Sequence, residues 1–498
     1  MACEVVVVGG GIGGLTAAAL LAKRGFDVCL LERQSEVGGC LVGLEKFGYT
    51  FEPTIGLYFG WAEGEIFRRI FDELSVTLPE LLPLNPAYVT RLPDGSEIPI
   101  LANSEHFEDQ LARVFPECAG AAVKFYRESE KVCDALLRAL QRVPDLPSAG
   151  LAKRIYAFQS DLIYGARLLT FKNQALANAL AETSGRFQQF IELQLQTFGE
   201  TSLGQSAYMV GCVLLNLPRR NPVGIRGGAA SLARSLAEAI KLSGGSLRLD
   251  TSVLRLSYDS AGQATGVDLL SGENLTASRA IVSNMTVWDT YGKLIGLERT
   301  PSETKKKLAG LQSNGAYLIY AGMDEPAAAR LPADRILSGT DLTAASEDQL
   351  IDTSRFAFAA APPGDPRGPQ GMRAVTVAFP ADVGQWFTFQ ADVSEIERRD
   401  QVALETGWQA IHKQLPQLGP DIEVIETATP QSYYDLTRRK LGMVGSLGRS
   451  RAFFELAPLN HRTNLPNVYM VGDTVFPGGW LAGACLSGLT VALEIIRE

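Results

Sequence analysis

"EVVVVGGGIGGLTAAALLAKRGFDVCLLERQSEVGG", residues 4–39, decides the fold. Four valines from Val5 to Val8 form a continuous apolar run, the pattern of a parallel strand buried on both faces. Gly9, Gly11 and Gly14 follow as G-x-G-x-x-G, with Ile12 and Gly13 inside the motif, and an Ala/Leu-rich helix begins at Leu15. Each glycine has a mechanical reason. Gly9 makes the tight turn, Gly11 lets the backbone approach a pyrophosphate, and Gly14 lets the helix pack against the strand. The helix N-terminus offers unpaired N–H groups and partial positive charge to phosphates. "DVCLLE" reads as the second strand and ends at Glu32, 21 positions beyond Gly11, where a carboxylate accepts hydrogen bonds from ribose hydroxyls and repels a 2'-phosphate.

A further Gly38-Gly39 lies just beyond the acid. This extended pattern resembles the FAD-binding segment of the two-dinucleotide-binding-domain flavoproteins, and it favours FAD over NAD. The resemblance implies cofactor contacts from Gly9, Gly11, Ile12, Gly13, Gly14, Glu32, Arg33, Gly38 and Gly39.

The other end of the chain carries the matching half. "NLPNVYMVGD", residues 464–473, reads as a turn and a short apolar strand running into Gly472-Asp473. "GDTVFPGGWLAGACLSG", residues 472–488, then mixes glycines with Phe476 and Trp480 before a helical stretch. The resemblance puts Asp473 on the ribityl chain. It also aims the start of the last helix, at Trp480, Leu481 and Ala482, towards the flavin, where the helix dipole stabilises negative charge on the reduced ring. The glycines let backbone crowd a cofactor. Phe476 and Trp480 either wall an apolar pocket beside the ring or seal the core.

Between these ends, "YVTRLPDGSEIPI" (88–100) reads as a hairpin turning at Pro93-Asp94-Gly95, and residues 101–217 are helical in pattern. "NPVGIRGGAASLARSLAEAIKLSGGSLRLDTSVLRLSYD" (221–259) resumes loop, helix and strand, and a valine placed like Val253 meets the adenine in the resembling flavoproteins. "PPGDPRGPQG" (362–371) reads as a surface loop without chemical signature.

Together with "GIRGGAASLARSLAEAI", "AIVSNM" and "TPQSYYDLT", these pieces resemble the phytoene desaturase and carotenoid isomerase family over essentially the whole chain. Two departures stand out: "FEPTIG" (51–56) lacks an expected acid-x-glycine pattern, and Trp480 occupies a loop where small residues are usual. The resemblance implies an α/β fold: a Rossmann-like, glutathione-reductase-like FAD-binding domain from residues 1–100, 218–286 and 425–498, with an interleaved α+β substrate domain from 101–217 and 287–424. It implies an FAD-dependent oxidoreductase acting on carbon–carbon double bonds of a carotenoid or related polyprenoid by desaturation, isomerisation or saturation. An amine or amino-acid oxidase and a non-catalytic FAD or lipid carrier stand as alternatives.

Neither polyene route needs a triad or a metal, since the cofactor carries the electronics. Glu52 is the acid–base candidate, against its reading as a hydrogen-bonded turn carboxylate. Tyr58, Phe59 and Trp61 either line a polyene tunnel or form a core cluster. Cys40 and Cys485 read as ordinary small residues, and His106, His412 and His461 as surface or satisfied structural residues.

Composition excludes other classes. Net charge is -9 and pI about 5.2, which argues against nucleic acid as partner. The seven cysteines are odd in number and form no C-x-x-C pair, so no disulfide framework or zinc site is indicated and a reducing, cytoplasmic setting is expected. With a strand predicted at the very start, no cleavable signal is expected, and no apolar run is long enough to span a bilayer. A carotenoid nonetheless resides in membrane, so peripheral membrane contact is expected. "LAKRIYAFQSDLIYGARLLTFK" (151–172) has Leu151, Ile155, Phe158, Leu162 and Leu169 at helical spacing beside Lys153, Arg154, Arg167 and Lys172, the pattern of either an interfacial or a core-facing helix.

Overall fold

A computed structural model describes residues 2–146, 149–159, 165, 174–311, 314–340, 350–388, 392–444 and 460–498. The first strand, Ala2–Val8, is buried because it has parallel partners on both sides, Val28–Leu31 and Asn274–Ser283. Ser246–Arg248 extends the sheet beyond Val28–Leu31, and Val468–Met470 pairs in parallel with the end of Asn274–Ser283. Side-chain alternation then decides the layers. Val5 and Val7 face the helices Ile12–Lys23, Ala230–Leu242 and Leu481–Arg497. Val6 and Val8 face the opposite side, where Trp288, Tyr291, Leu294 and Leu308 cover the sheet.

The second sheet is mostly antiparallel, in the order Ile422–Ala428, Gly315–Asp324, Met372–Ala381, Arg355–Ala360, Arg335–Gly339, Tyr88–Arg91, Glu97–Ile100. Ile319, Val377 and Phe379 of this sheet share a core with Ala403 and Ile411 of the long helix Val393–Gln414. Near its other end lies a helical layer that includes Ser104–Val114, Ala119–Arg142, Gly185–Gly199 and Tyr208–Asn216. Edge-to-face aromatic contacts knit that layer together, such as Phe107 with Tyr126 and Phe115 with Phe187.

This topology moves three of the expected domain boundaries. The hairpin at 88–100 belongs to the second sheet, because Tyr88–Arg91 pairs in parallel with Arg335–Gly339. A boundary at 425 would cut Ile422–Ala428, which pairs along Gly315–Asp324. Residues just after 286 stay with the first sheet, since Trp288 and Tyr291 are part of its core.

Candidate functional site

The G-x-G-x-x-G turn sits at the carboxyl end of the first strand, where the strand hands over to helix Ile12–Lys23. Gly9 has φ +101°, a conformation open to glycine. A Cβ on Gly14 would lie 2.4 Å from the Gly9 carbonyl oxygen, so this glycine does permit the close helix–strand approach. Gly11 has a reason that the motif alone does not disclose: a Cβ there would lie 2.3 Å from Asn284 Nδ2. Asn284 follows Asn274–Ser283 and reaches over the turn, where its Oδ1 accepts from Gly14 N at 3.0 Å. Ile12 and Gly13, both on the cavity wall, are left to offer their N–H groups.

The cavity has a volume of about 700 Å³, and its walls include Gly9, Gly11, Ile12, Gly13, Glu32, Arg33, Gly38, Gly39, Val253, Gly472, Asp473, Trp480 and Leu481. Distant pieces of chain thus converge on one space. Gly14 and Ala482 are not on its wall: Gly14 lies beneath the turn, and Ala482 faces a neighbouring pocket.

Glu32 is held in place by backbone. Its Oε2 accepts from Gly10 N at 2.6 Å and its Oε1 from Gln34 N at 2.8 Å, which leaves each oxygen a lone pair for a ribose hydroxyl. Asp473 is paired with Arg439, whose Nη2 donates to Oδ2 at 2.9 Å. Burial works against charge on Arg439, but Asp473 outweighs it, and the guanidinium is held more firmly protonated than usual. Arg439 is a cavity residue that sequence reading passed over; its one signal was the basic run after "TPQSYYDLT". Burial pushes the Cys40 thiol up and the Cys485 thiol up to about 12, so both stay protonated. These residues fit a dinucleotide: a glycine turn at a helix start, an oriented ribose acceptor and a second acid–base pair further along the same cavity.

Two further cavities adjoin the first at Gly479 and Trp480, which line all three. One, of about 190 Å³, is walled by Phe59, Phe198, Leu214 and Phe476 among others. The other, of about 630 Å³, includes Ile55, Phe356, Glu200, Asp352 and Arg355. Trp480 is anchored between them. Its Nε1 donates to Phe198 O at 3.0 Å, and its ring meets Phe59 edge-on at 4.8 Å.

Phe59, Phe476 and Trp480 therefore do line a pocket, whereas Tyr58 and Trp61 line none of these three cavities. Both pack into the core of the first sheet, Trp61 stacking on Phe67 at 4.5 Å. Glu52 is also redirected. Its carboxylate accepts from Arg367 Nη1 at 2.7 Å, from Ala229 N at 2.8 Å and from the Tyr58 hydroxyl, and it lines none of these cavities. Arg367 in turn binds Asp365 at 2.8 Å. The loop at 362–371 is thus no chemically blank surface connection: it carries a buried arginine that locks onto Glu52 and a buried acid that holds that arginine in place. What borders the cavities is the next stretch, Pro53 and Thr54, with Arg335 donating to Gly56 O at 2.7 Å to hold it.

Tyr433, from "TPQSYYDLT", lines both the 700 Å³ and the 630 Å³ cavities. Burial raises its hydroxyl well above the usual tyrosine range, so it keeps its proton. Of the interfacial helix expected at 151–172, Leu151–Ala157 is helical, with Ile155 and Tyr156 exposed; Leu162, Arg167, Leu169 and Lys172 lie outside the described residues. No helix among the described residues is long and apolar enough to cross a membrane.

A family model described as flavin containing amine oxidoreductase matches residues 12–496. The chain is 27% identical to the all-trans-retinol 13,14-reductase of Homo sapiens, covering 99% of this chain and 86% of that protein. It is 26% identical to a chloroplastic prolycopene isomerase of Arabidopsis thaliana, covering 99% and 83%. Among solved structures, an oxidoreductase from Methanosarcina mazei superposes with a TM-score of 0.65 at 18% identity over 99% of this chain and all of that one.

Proposed function

The chain belongs to the flavin-containing amine oxidoreductase family and takes FAD as cofactor, and from that premise we propose that it acts on the carbon–carbon double bonds of a carotenoid or related polyene. The observation that carries this reading is the shared wall: Gly479 and Trp480 border the cofactor cavity on one side and a largely hydrocarbon pocket on the other. A retinol reductase and a prolycopene isomerase, similar along nearly the whole chain, support it.

When bound, FAD supplies two-electron chemistry at carbon. The residues of this chain supply the rest. Ile12 and Gly13 at the helix start, with Glu32, would hold the dinucleotide, and Asp473 with Arg439 would fix its middle. Phe59, Leu214 and Phe476 exclude water from the reacting chain. Tyr433, on the wall between the cofactor cavity and the larger pocket, keeps its proton at Oη and donates it in a hydrogen bond to Pro53 O at 3.5 Å, which helps to hold Pro53 on the cavity wall. Glu52 acts through structure, by keeping Pro53 and Thr54 against the cavities.

Incubating FAD-loaded protein with liposome-borne cis and trans polyenes, oxidised or reduced, and resolving products by chromatography tests the reading. Loss of two hydrogens marks desaturation, no change isomerisation, and gain saturation. Turnover of amines with every polyene left untouched would reverse it in favour of amine oxidation.

We also propose peripheral contact with membrane through the face that carries Ile155 and Tyr156 beside Lys153 and Arg154. Lys153→Glu with Arg154→Glu is expected to lower co-sedimentation with anionic liposomes; unchanged sedimentation would count against this face.

A further inference from the structure

The two pockets beside the cofactor cavity differ in size and in chemistry. The smaller is about 190 Å³. A dry cavity of about 150 Å³ lined by Leu, Ile and Phe takes a molecule the size of benzene. The smaller pocket therefore takes one ring, or an end of similar bulk, and not half of a forty-carbon chain.

The larger pocket is about 630 Å³ and is not dry in character. It holds an Asp352–Arg355 ion pair and a Glu200–Asn314 hydrogen bond. Both side chains of the ion pair remain 20% exposed, so a ligand can reach them. Covering such groups with hydrocarbon strips them of water and returns nothing, whereas a hydroxyl or carbonyl restores the lost hydrogen bonds. The indole of Trp480, which lines both pockets, is pinned by Phe198 O and Phe59.

We propose, resting on the polyene chemistry above, that the substrate is a short polyene with one oxygenated end, lying across Trp480 with its apolar end in the small pocket and its oxygen near Asp352 and Arg355. The reacting double bond is then chosen by distance: the depth of the small pocket sets which bond of the chain lies at the Gly479–Trp480 junction. A long hydrocarbon carotene can seat only its terminal unit in the small pocket, so the rest of its chain is left against charges it cannot satisfy.

The test uses the full-length, FAD-loaded protein and three probes: all-trans-retinol, the hydrocarbon with the same polyene but no hydroxyl, and lycopene. Binding is read by loss of tryptophan emission to the polyene, which requires no turnover. The alcohol is expected to bind about tenfold tighter than its hydrocarbon, as for one hydrogen bond to a charged group, and lycopene is expected not to displace it. The combined Asp352→Leu, Arg355→Met variant, which removes both the charges and the hydrogen-bonding groups, is expected to abolish that preference by weakening the alcohol and strengthening the hydrocarbon. Because that pair also braces its strand, Leu214→Trp is a second arm: it fills the small pocket and is expected to weaken both short probes alike. Equal or tighter binding of the hydrocarbon by the unaltered protein, displacement by lycopene, or indifference to Leu214→Trp would overturn the inference while polyene turnover in chromatography still stood. Amine turnover with none of the three probes bound would overturn both.

Discussion

Arg367 shows how a side chain can matter without touching the chemistry. It is nearly inaccessible, as is Glu52, and between them they join the loop of the second sheet to the cofactor domain. Removing one partner of such a buried pair leaves an uncompensated charge, so Arg367→Met is expected to cost about 3–5 kcal/mol, read by denaturant unfolding. Replacing both with apolar residues is expected to recover part of that loss. His461 makes a pH prediction. Burial holds its pKa down to about 4 from an ordinary 6.5, and its Nε2 has no hydrogen-bond partner among the described residues. Between those values the unfolded chain binds the proton and the folded one does not, so stability falls as pH drops from 6.5 towards 4 and levels off below. The full effect is about 3 kcal/mol. Melting curves across that range should show the loss, and His461→Gln should flatten it. At Gly11, alanine would drive a Cβ into Asn284, and the purified Gly11→Ala variant is expected to retain little flavin by its absorbance.

At the scale of elements, the cofactor cavity depends on how closely two helices approach. A Cβ on Gly488 in Leu481–Arg497 would lie 2.4 Å from the Gly13 carbonyl oxygen in Ile12–Lys23. Gly488→Ala therefore pushes apart the two helix starts that border the cavity. A cost of about 1–3 kcal/mol in thermal unfolding, with weaker FAD retention, is the expected result. Trp480 stands just before the second of these helices, in a loop where the resembling family favours small residues. Its anchoring to Phe198 O ties the helical layer to the cofactor domain at the point where the three cavities meet.

For the molecule as a whole, the cofactor cavity is walled by segments spread from Val8 to Ala484. Any ligand filling it therefore ties the termini to the middle of the chain. Adding FAD at 100 times its Kd is expected to stabilise the folded state by about 2.7 kcal/mol, and removing it to lower the melting temperature accordingly. An unchanged melting temperature would mean that these segments do not close on the cofactor together.

Several features were legible in the sequence because they are local. The valine strand, the glycine turn, Glu32 at its distance, and the Gly472-Asp473 turn each follow from backbone rules acting within a few residues or one strand–helix–strand unit. Side-chain partners were not legible, because they depend on which distant segments the fold superposes. Asn284 crowds Gly11 from 273 positions away in sequence, and Arg367 reaches Glu52 across 315. Aromatic character alone did not distinguish Phe59, which lines a pocket, from Tyr58 and Trp61, which pack into the core of the first sheet. Neighbours in sequence point to different sides, and only the packed structure decides which side is core and which is cavity. Local chemistry determined the cofactor and the fold around it; tertiary packing decided which residues wall the substrate space, because burial and charge pairing are properties of what surrounds a residue.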